Sequence, residues 1–239
     1  VEAALVDVIP LDPAMPGKRR KVPALQDEVV LRVTIAKDAA PGPRDFRLLC
    51  SNDFTVPLAF HVGRYAETVE SEPNDATLRG MTLDALPLCI NGRITEGDVD
   101  TFRFTATRGQ TLVAQVLARN LIPFIADAVP GWFQPVLKLV DAQGRELAHA
   151  DDFRFDPDPI LVFPVPATGE YALQISDAIS RGRDDYVYRL TLGELPLVTG
   201  FDPMGGKKGE RLNIAREGVN LPPQRTRIFS GGKTSESCL

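Results

Sequence analysis

Two histidines and three cysteines in 239 residues are too few for several kinds of chemistry. Zinc sites are built from Cys and His. Cys50, Cys89 and Cys238 are scattered, and their odd number leaves at least one unpaired, so a disulfide framework is not expected. His61 sits at a strand end between Phe60 and Val62, and His149 has no Ser or Cys partner in a nucleophile motif. There is no Gly-x-Ser-x-Gly and no His-Glu-x-x-His. No apolar run approaches the ~20 residues that span a bilayer. Val1 opens the chain without a Met or a charged leader, and both ends read as cut from a longer polypeptide. A net charge of -5 and a pI near 5.2 argue against a nucleic-acid surface. The one basic cluster, Lys18-Arg19-Arg20-Lys21, lies in a Pro-rich stretch and reads as a solvated loop.

Long helices are also excluded. Twenty prolines and nineteen glycines punctuate the chain, and short apolar runs lie between them. Val29, Leu31, Val33 and Ile35 alternate with outward-facing neighbours, the period of a half-buried strand. Asp45 to Leu49 returns the chain after an Asp38-to-Pro43 turn, and Pro57 to Val62 adds a further strand. Residues 1–65 are therefore expected to form an immunoglobulin-like β-sandwich. From residue 101 the strands come regularly: 101–105, 110–118, 135–140, 146–150, 160–165, 169–175 and 186–192. This spacing predicts an all-β domain of two sheets, a jelly-roll-like β-sandwich, over residues 66–194. Its expected core includes Phe102, Phe104, Leu112, Val116, Leu137, Leu139, Tyr171, Leu173, Ile175, Val187 and Leu190. Leu121 to Ala128 is broken by Pro123 and Pro130, and with Trp132 and Phe133 it is expected to form an apolar cover. Leu88-Cys89-Ile90 reads as a poorly patterned connection.

The candidate site is acidic. Glu70-Ser71-Glu72-Pro73-Asn74-Asp75 places four carboxylate or amide side chains beside one proline, and Asp98 and Asp100 precede the Phe102–Phe104 strand. Carboxylates and an amide with no His or Cys nearby suit a hard cation such as calcium. The competing reading is a turn, with Asn and Asp capping backbone amides and Pro fixing φ. A second acidic stretch, Asp151, Asp152, Asp156 and Asp158, offers carboxylates for a hydrolase-like acid pair. Acidic residues at hairpin turns are common, and this stretch reads first as a turn.

The ordered set Glu70-Ser71-Glu72-Pro73-Asn74-Asp75, Asn91-Gly92-Arg93-Ile94 and Asp98-Val99-Asp100-Thr101-Phe102-Arg103-Phe104 resembles the bacterial pre-peptidase C-terminal domain family. Gly109-Gln110-Thr111-Leu112, Val140 to Gly144, Asp151-Asp152, Gly169-Glu170-Tyr171 and Tyr186 to Leu190 continue the pattern over about 130 of the 239 residues. The resemblance implies a non-catalytic β-sandwich appended to exported proteins, whose relatives bind calcium or an extracellular protein or polysaccharide. It places Glu70, Glu72, Asn74 and Asp75 on the family's linker motif and Asp100 on the acid before the aromatic strand. Where the family pattern has an acid three residues before Asp100, this chain has Gly97, with Asp98 beside it.

Residues 195–239 resemble the opening of IPT/TIG immunoglobulin-like domains, through Pro203-Met204-Gly205-Gly206 and Gly218-Val219-Asn220-Leu221. Gly205 to Gly209 and Gly231 to Thr234 lack the spacing and the following helix of a phosphate loop. The expectation is a non-enzymatic accessory module in a larger exported polypeptide, located outside the cell, in the periplasm or at the cell surface. Its partners would be the other domains of that polypeptide and an extracellular protein or polysaccharide. The alternatives are a structural spacer, favoured if Trp132 and Phe133 are buried, and a carboxylate-based hydrolase.

Overall fold

The computed structural model describes residues 2–10, 27–49, 53–75, 80–122 and 132–222, with side chains from residue 31 onward. The basic cluster at 18–21, Cys50, Cys238, residues 123–128 and the 231–234 turn lie outside the described residues. The chain falls into two compact units, 1–64 and 65–239. No helix occurs among the described residues, and the protein is all-β.

In the first unit, β1 (Glu2–Pro10) pairs antiparallel with β2 (Asp27–Thr34), and β3 (Gly42–Phe46) with β4 (Leu58–Val62). These are two separate two-stranded sheets. The return strand begins earlier than its sequence suggests. Leu49 leaves it to bridge Phe54, and the Leu48 amide donates to Thr55 Oγ1 at 3.0 Å.

The second unit continues with β5 (Ala66–Val69), β6 (Met81–Thr82), β7 (Leu88–Arg93), β8 (Val99–Ala106), β9 (Thr111–Leu117), β10 (Pro135–Asp141) and β11 (Glu146–Ala150). β12 (Ile160–Pro164), β13 (Gly169–Asp177) and β14 (Val187–Gly193) complete its two sheets, and β15 (Leu197–Asp202) pairs with β16 (Ala215–Val219). The sheets are five-stranded, in the orders β11-β10-β13-β8-β6 and β12-β9-β14-β7-β5. Their facing sides make one core, in which Phe102, Leu137, Leu173, Ile175 and Leu190 are fully buried.

Val187 is not part of that core. Tyr186, Tyr188, Leu190 and Leu192 point inward instead. Period two cannot put residues 187 and 190 on the same face, and the larger aromatics determine which parity is buried. Trp132 and Phe133 are buried, their rings 5.1 and 5.3 Å from that of Tyr186. The stretch read as a connection around Leu88-Cys89-Ile90 is the strand β7, and Asn91-Gly92-Arg93 lies within it. Cys89 and Ile90, on opposite faces, are both buried, and this erases the alternation that would have marked the strand. The second strand of the last hairpin runs from Ala215 to Val219. Asn220, at φ 52°, ties the end of this hairpin to the sandwich by donating to Thr111 O and Leu195 O.

Two short strands have special topology. β5 runs parallel to β7 at one sheet edge, and β6 runs parallel to β8 at the edge of the other sheet. The chain between them crosses from one sheet to the other, and the acidic run lies on that crossing.

Candidate metal centre

On β8 the side chains of Asp100, Phe102, Phe104 and Ala106 share the inward face, so the strand's first inward residue is a carboxylate at the end of the core. Tyr188 is on the inward face of β14 in the opposite sheet, and its hydroxyl lies 2.5 Å from Asp100 Oδ2 and 2.8 Å from Glu70 Oε2. Glu70 directly follows β5. Its amide continues the ladder to Asn91 O at 3.0 Å, and its Oε1 accepts from the Arg93 amide at 2.8 Å. Gly92 makes this meeting possible, because a Cβ there would lie 2.3 Å from the Tyr188 Cζ and 2.4 Å from Glu70 Oε2.

The crossing then docks on β8. The Thr101 amide donates to Asn74 O at 3.2 Å, and the Asn74 amide donates to Glu72 Oε2 at 2.8 Å. Asp98 comes from the turn before β8. Its Oδ2 accepts from the Thr95 amide at 3.0 Å and the Thr95 hydroxyl at 3.1 Å.

These elements bring the six sequence-selected residues to one end of the sandwich. Carboxylate oxygens of Glu70, Glu72 and Asp100 lie within 4.8 Å of one another, as do those of Glu72, Asp75 and Asp98, so Glu72 belongs to both groups. Asn74 and Asp100 have no solvent exposure, and among the described residues Asn74 Oδ1, Asn74 Nδ2 and Asp100 Oδ1 have no hydrogen-bond partner. A buried polar atom without a partner costs about 1–3 kcal/mol, and more when the group is charged. Burial, with Glu70 and Asp98 nearby, pushes the Asp100 carboxyl up to about 9 despite the Tyr188 hydroxyl. Burial, with Asp98 and Glu70 close by, also raises Glu72, and the hydrogen bond with Asp98 raises Asp75. Carboxylates that raise one another this way need a compensating positive charge to ionise. The donors fit calcium, which takes six to eight oxygens from carboxylates, amides and carbonyls. Glu70, Glu72 and Asp100 in one group, or Glu72, Asp75 and Asp98 in the other, would hold it, with the amide oxygen of Asn74 as a further donor.

Sequence reasoning did not identify Tyr188, Gly92 or Thr95 as part of this site. The one available signal was Gly92, because a glycine inside a strand marks a close approach by other atoms.

The second acidic stretch does different work. Asp158 is buried; its Oδ2 accepts from the Ala118 and Asn120 amides and from Asn120 Nδ2, and its Oδ1 accepts from the Arg119 amide. Asp156 Oδ1 accepts from the Asp158 amide, while Asp151, Asp152 and His149 are exposed. Asp158 therefore anchors a backbone turn.

No protein-family model matches the chain, and no curated protein matches it in sequence. Among solved structures it is similar to the pre-peptidase C-terminal domain of a collagenase from Bacillus anthracis, at 14% identity and a TM-score of 0.33 over 55% of this chain and 100% of that one. It is also similar to Aeromonas hydrophila PliG, a periplasmic inhibitor of g-type lysozyme, at 12% identity and a TM-score of 0.32 over 53% and 97% of the two chains. Salmonella Typhimurium PliG gives 16% identity and 0.29 over 55% and 97%. These likenesses are distant, and the functional reading rests on the side chains themselves.

Proposed function

We propose that the sandwich of residues 66–194 is a non-catalytic accessory module of a larger exported protein, stabilised by calcium where the chain crosses between its sheets. The observation behind this reading is the set of partnerless buried atoms, Asn74 Oδ1, Asn74 Nδ2 and Asp100 Oδ1, beside carboxylates from Glu70, Glu72, Asp75 and Asp98. A turn would leave these atoms in water or bonded to amides. The ordered sequence motifs support the same reading, and calcium sites of extracellular modules work at about 0.1–1 mM. Asp158 is occupied by backbone amides, and this counts against the hydrolase alternative. Burial of Trp132 and Phe133 removes the aromatic strip that a binding face would have used and favours a spacing role.

The test is thermal melting of the chain in calcium and in chelator. Calcium at a hundred times its Kd stabilises the folded form by about 2.7 kcal/mol. For a unit of this size that is a rise of about 5–10 °C. Asp100→Ala removes the rise. Identical melts with and without calcium refute the reading.

A further inference from the structure

We propose that the loop of residues 177–186 positions Asp98 for the cation, acting through the contact of Gly182 with Thr95, and that Thr95 sets which Asp98 oxygen faces the site. This rests on the calcium reading above.

Asp98 stands one place after the position where the family resemblance puts an acid, so its carboxylate has to be turned to serve. Gly97, at φ +82°, makes the turn, and the Asp98 amide returns to Thr95 O at 3.2 Å. A carboxylate oxygen has two in-plane lone pairs. On Oδ2 the Thr95 amide and hydroxyl both donate, which fixes the carboxylate and turns Oδ1 toward the acidic cluster, where Asp75 hydrogen-bonds Asp98 and a cation would take its place.

Residues 95–97 are exposed, and the 177–186 loop packs against them. A Cβ on Gly182 would lie 1.8 Å from Thr95 O and 2.4 Å from Glu96 N, so the two backbones are in direct contact. The Arg183 amide donates to Ile94 O at 3.0 Å, and the Ile94 amide to Tyr186 O at 2.9 Å. The loop is in turn tied to the body of the sandwich. Asp177 holds Arg181, whose Nη2 donates to Trp132 O at 2.7 Å, and the Arg183 guanidinium stacks 4.8 Å over the Trp132 ring. Gly182, Arg183 and Tyr186 meet residues 94–96 through backbone atoms, so through them the loop acts on the cation by where it holds residues 94–98. Coupling of this kind is reciprocal: a loop that favours binding is itself ordered by binding.

The experiment is calcium titration calorimetry on the full chain with Thr95→Val, Thr95→Ser and Gly182→Ala, together with hydrogen exchange at the Arg183 amide. Thr95→Val is expected to weaken calcium binding by about tenfold, the usual size for loss of a partner that orients a ligand. Thr95→Ser, which keeps the hydroxyl, restores the affinity. Gly182→Ala weakens binding if it folds, and the Thr95 pair decides the matter if it does not. Calcium slows exchange at Arg183 in the wild type and less so in Thr95→Val. If the wild type binds and Thr95→Val binds equally well, the positioning role is overturned while the calcium site stands. Unchanged Arg183 exchange overturns the coupling to the loop. If the wild type shows no calcium binding, both readings fall.

Discussion

Asp177→Asn changes one charge and almost no volume. The Asp177 side chain has no solvent exposure, and its Arg181 partner retains 23%. Oδ2 accepts from the Ile179 amide, the Arg181 amide and Arg181 Nε, while Oδ1 accepts from the Gln134 amide and Arg181 Nη2. An Asn amide group has one acceptor end, so either flip points an NH2 at two or three donors. Breaking a buried pair on one side costs about 3–5 kcal/mol, because the remaining charge is left uncompensated. Urea unfolding at pH 7, followed by the fluorescence of the single tryptophan, reads this directly, since Arg181 bonds the Trp132 carbonyl. The acid side gives a second check. Burial alone would raise the Asp177 carboxyl, but hydrogen bonds from Arg181 and the three amides outweigh it and hold the pKa below 3.8. A depressed carboxylate contributes stability that is fully present above about pH 5 and lost as pH falls through the folded-state pKa. Wild type should lose this contribution on acidification and the variant should have none to lose, so the gap between them narrows as the pH drops. A loss below about 1 kcal/mol at pH 7, or identical acid profiles, would refute the reasoning.

Two further outcomes follow from the buried carboxylates. Without cation, the Asp100 carboxyl is pushed up to about 9 in the folded state from 3.8, so its own contribution to stability is largest below pH 3.8 and declines as pH rises towards 9. Asp100→Asn lacks that decline of up to ~1.4 kcal/mol per pH unit. In chelator at pH 8 it should melt above the wild type, yet gain nothing from calcium; a wild type that is the more stable there contradicts this. Asp158→Ala strips the acceptor from the Ala118, Arg119 and Asn120 amides and should cost about 3 kcal/mol in thermal melting, whereas a fall under 1 kcal/mol would mean that water replaces the carboxylate.

Strands with one buried face were readable because their alternation repeats: Phe102–Phe104 and Tyr171–Leu173–Ile175 are placed in the core as the period requires. The β7 strand was not, because it is covered on both faces. Neither were β5 and β6, which are four and two residues long and pair in parallel, too short for any period to register. The site divides in the same way. Its carboxylates lie in two local acidic runs, and that they meet could be expected from sequence. The groups that orient them are remote: Tyr188 is 118 positions from Glu70 and 88 from Asp100, and Gly182 meets Thr95 across a similar gap. No local pattern encodes such pairs.

The placement of Tyr188 also has a kinetic consequence. Tyr188 bridges the Glu70 and Asp100 carboxylates only once β14 has closed against β7 and β9, and those pairings join distant parts of the chain. Loop-closure entropy makes such contacts late and slow to form. Interactions absent from the folding transition state leave the folding rate nearly unchanged and slow unfolding. Calcium would therefore act as a latch on a finished fold and lengthen the lifetime of the native state.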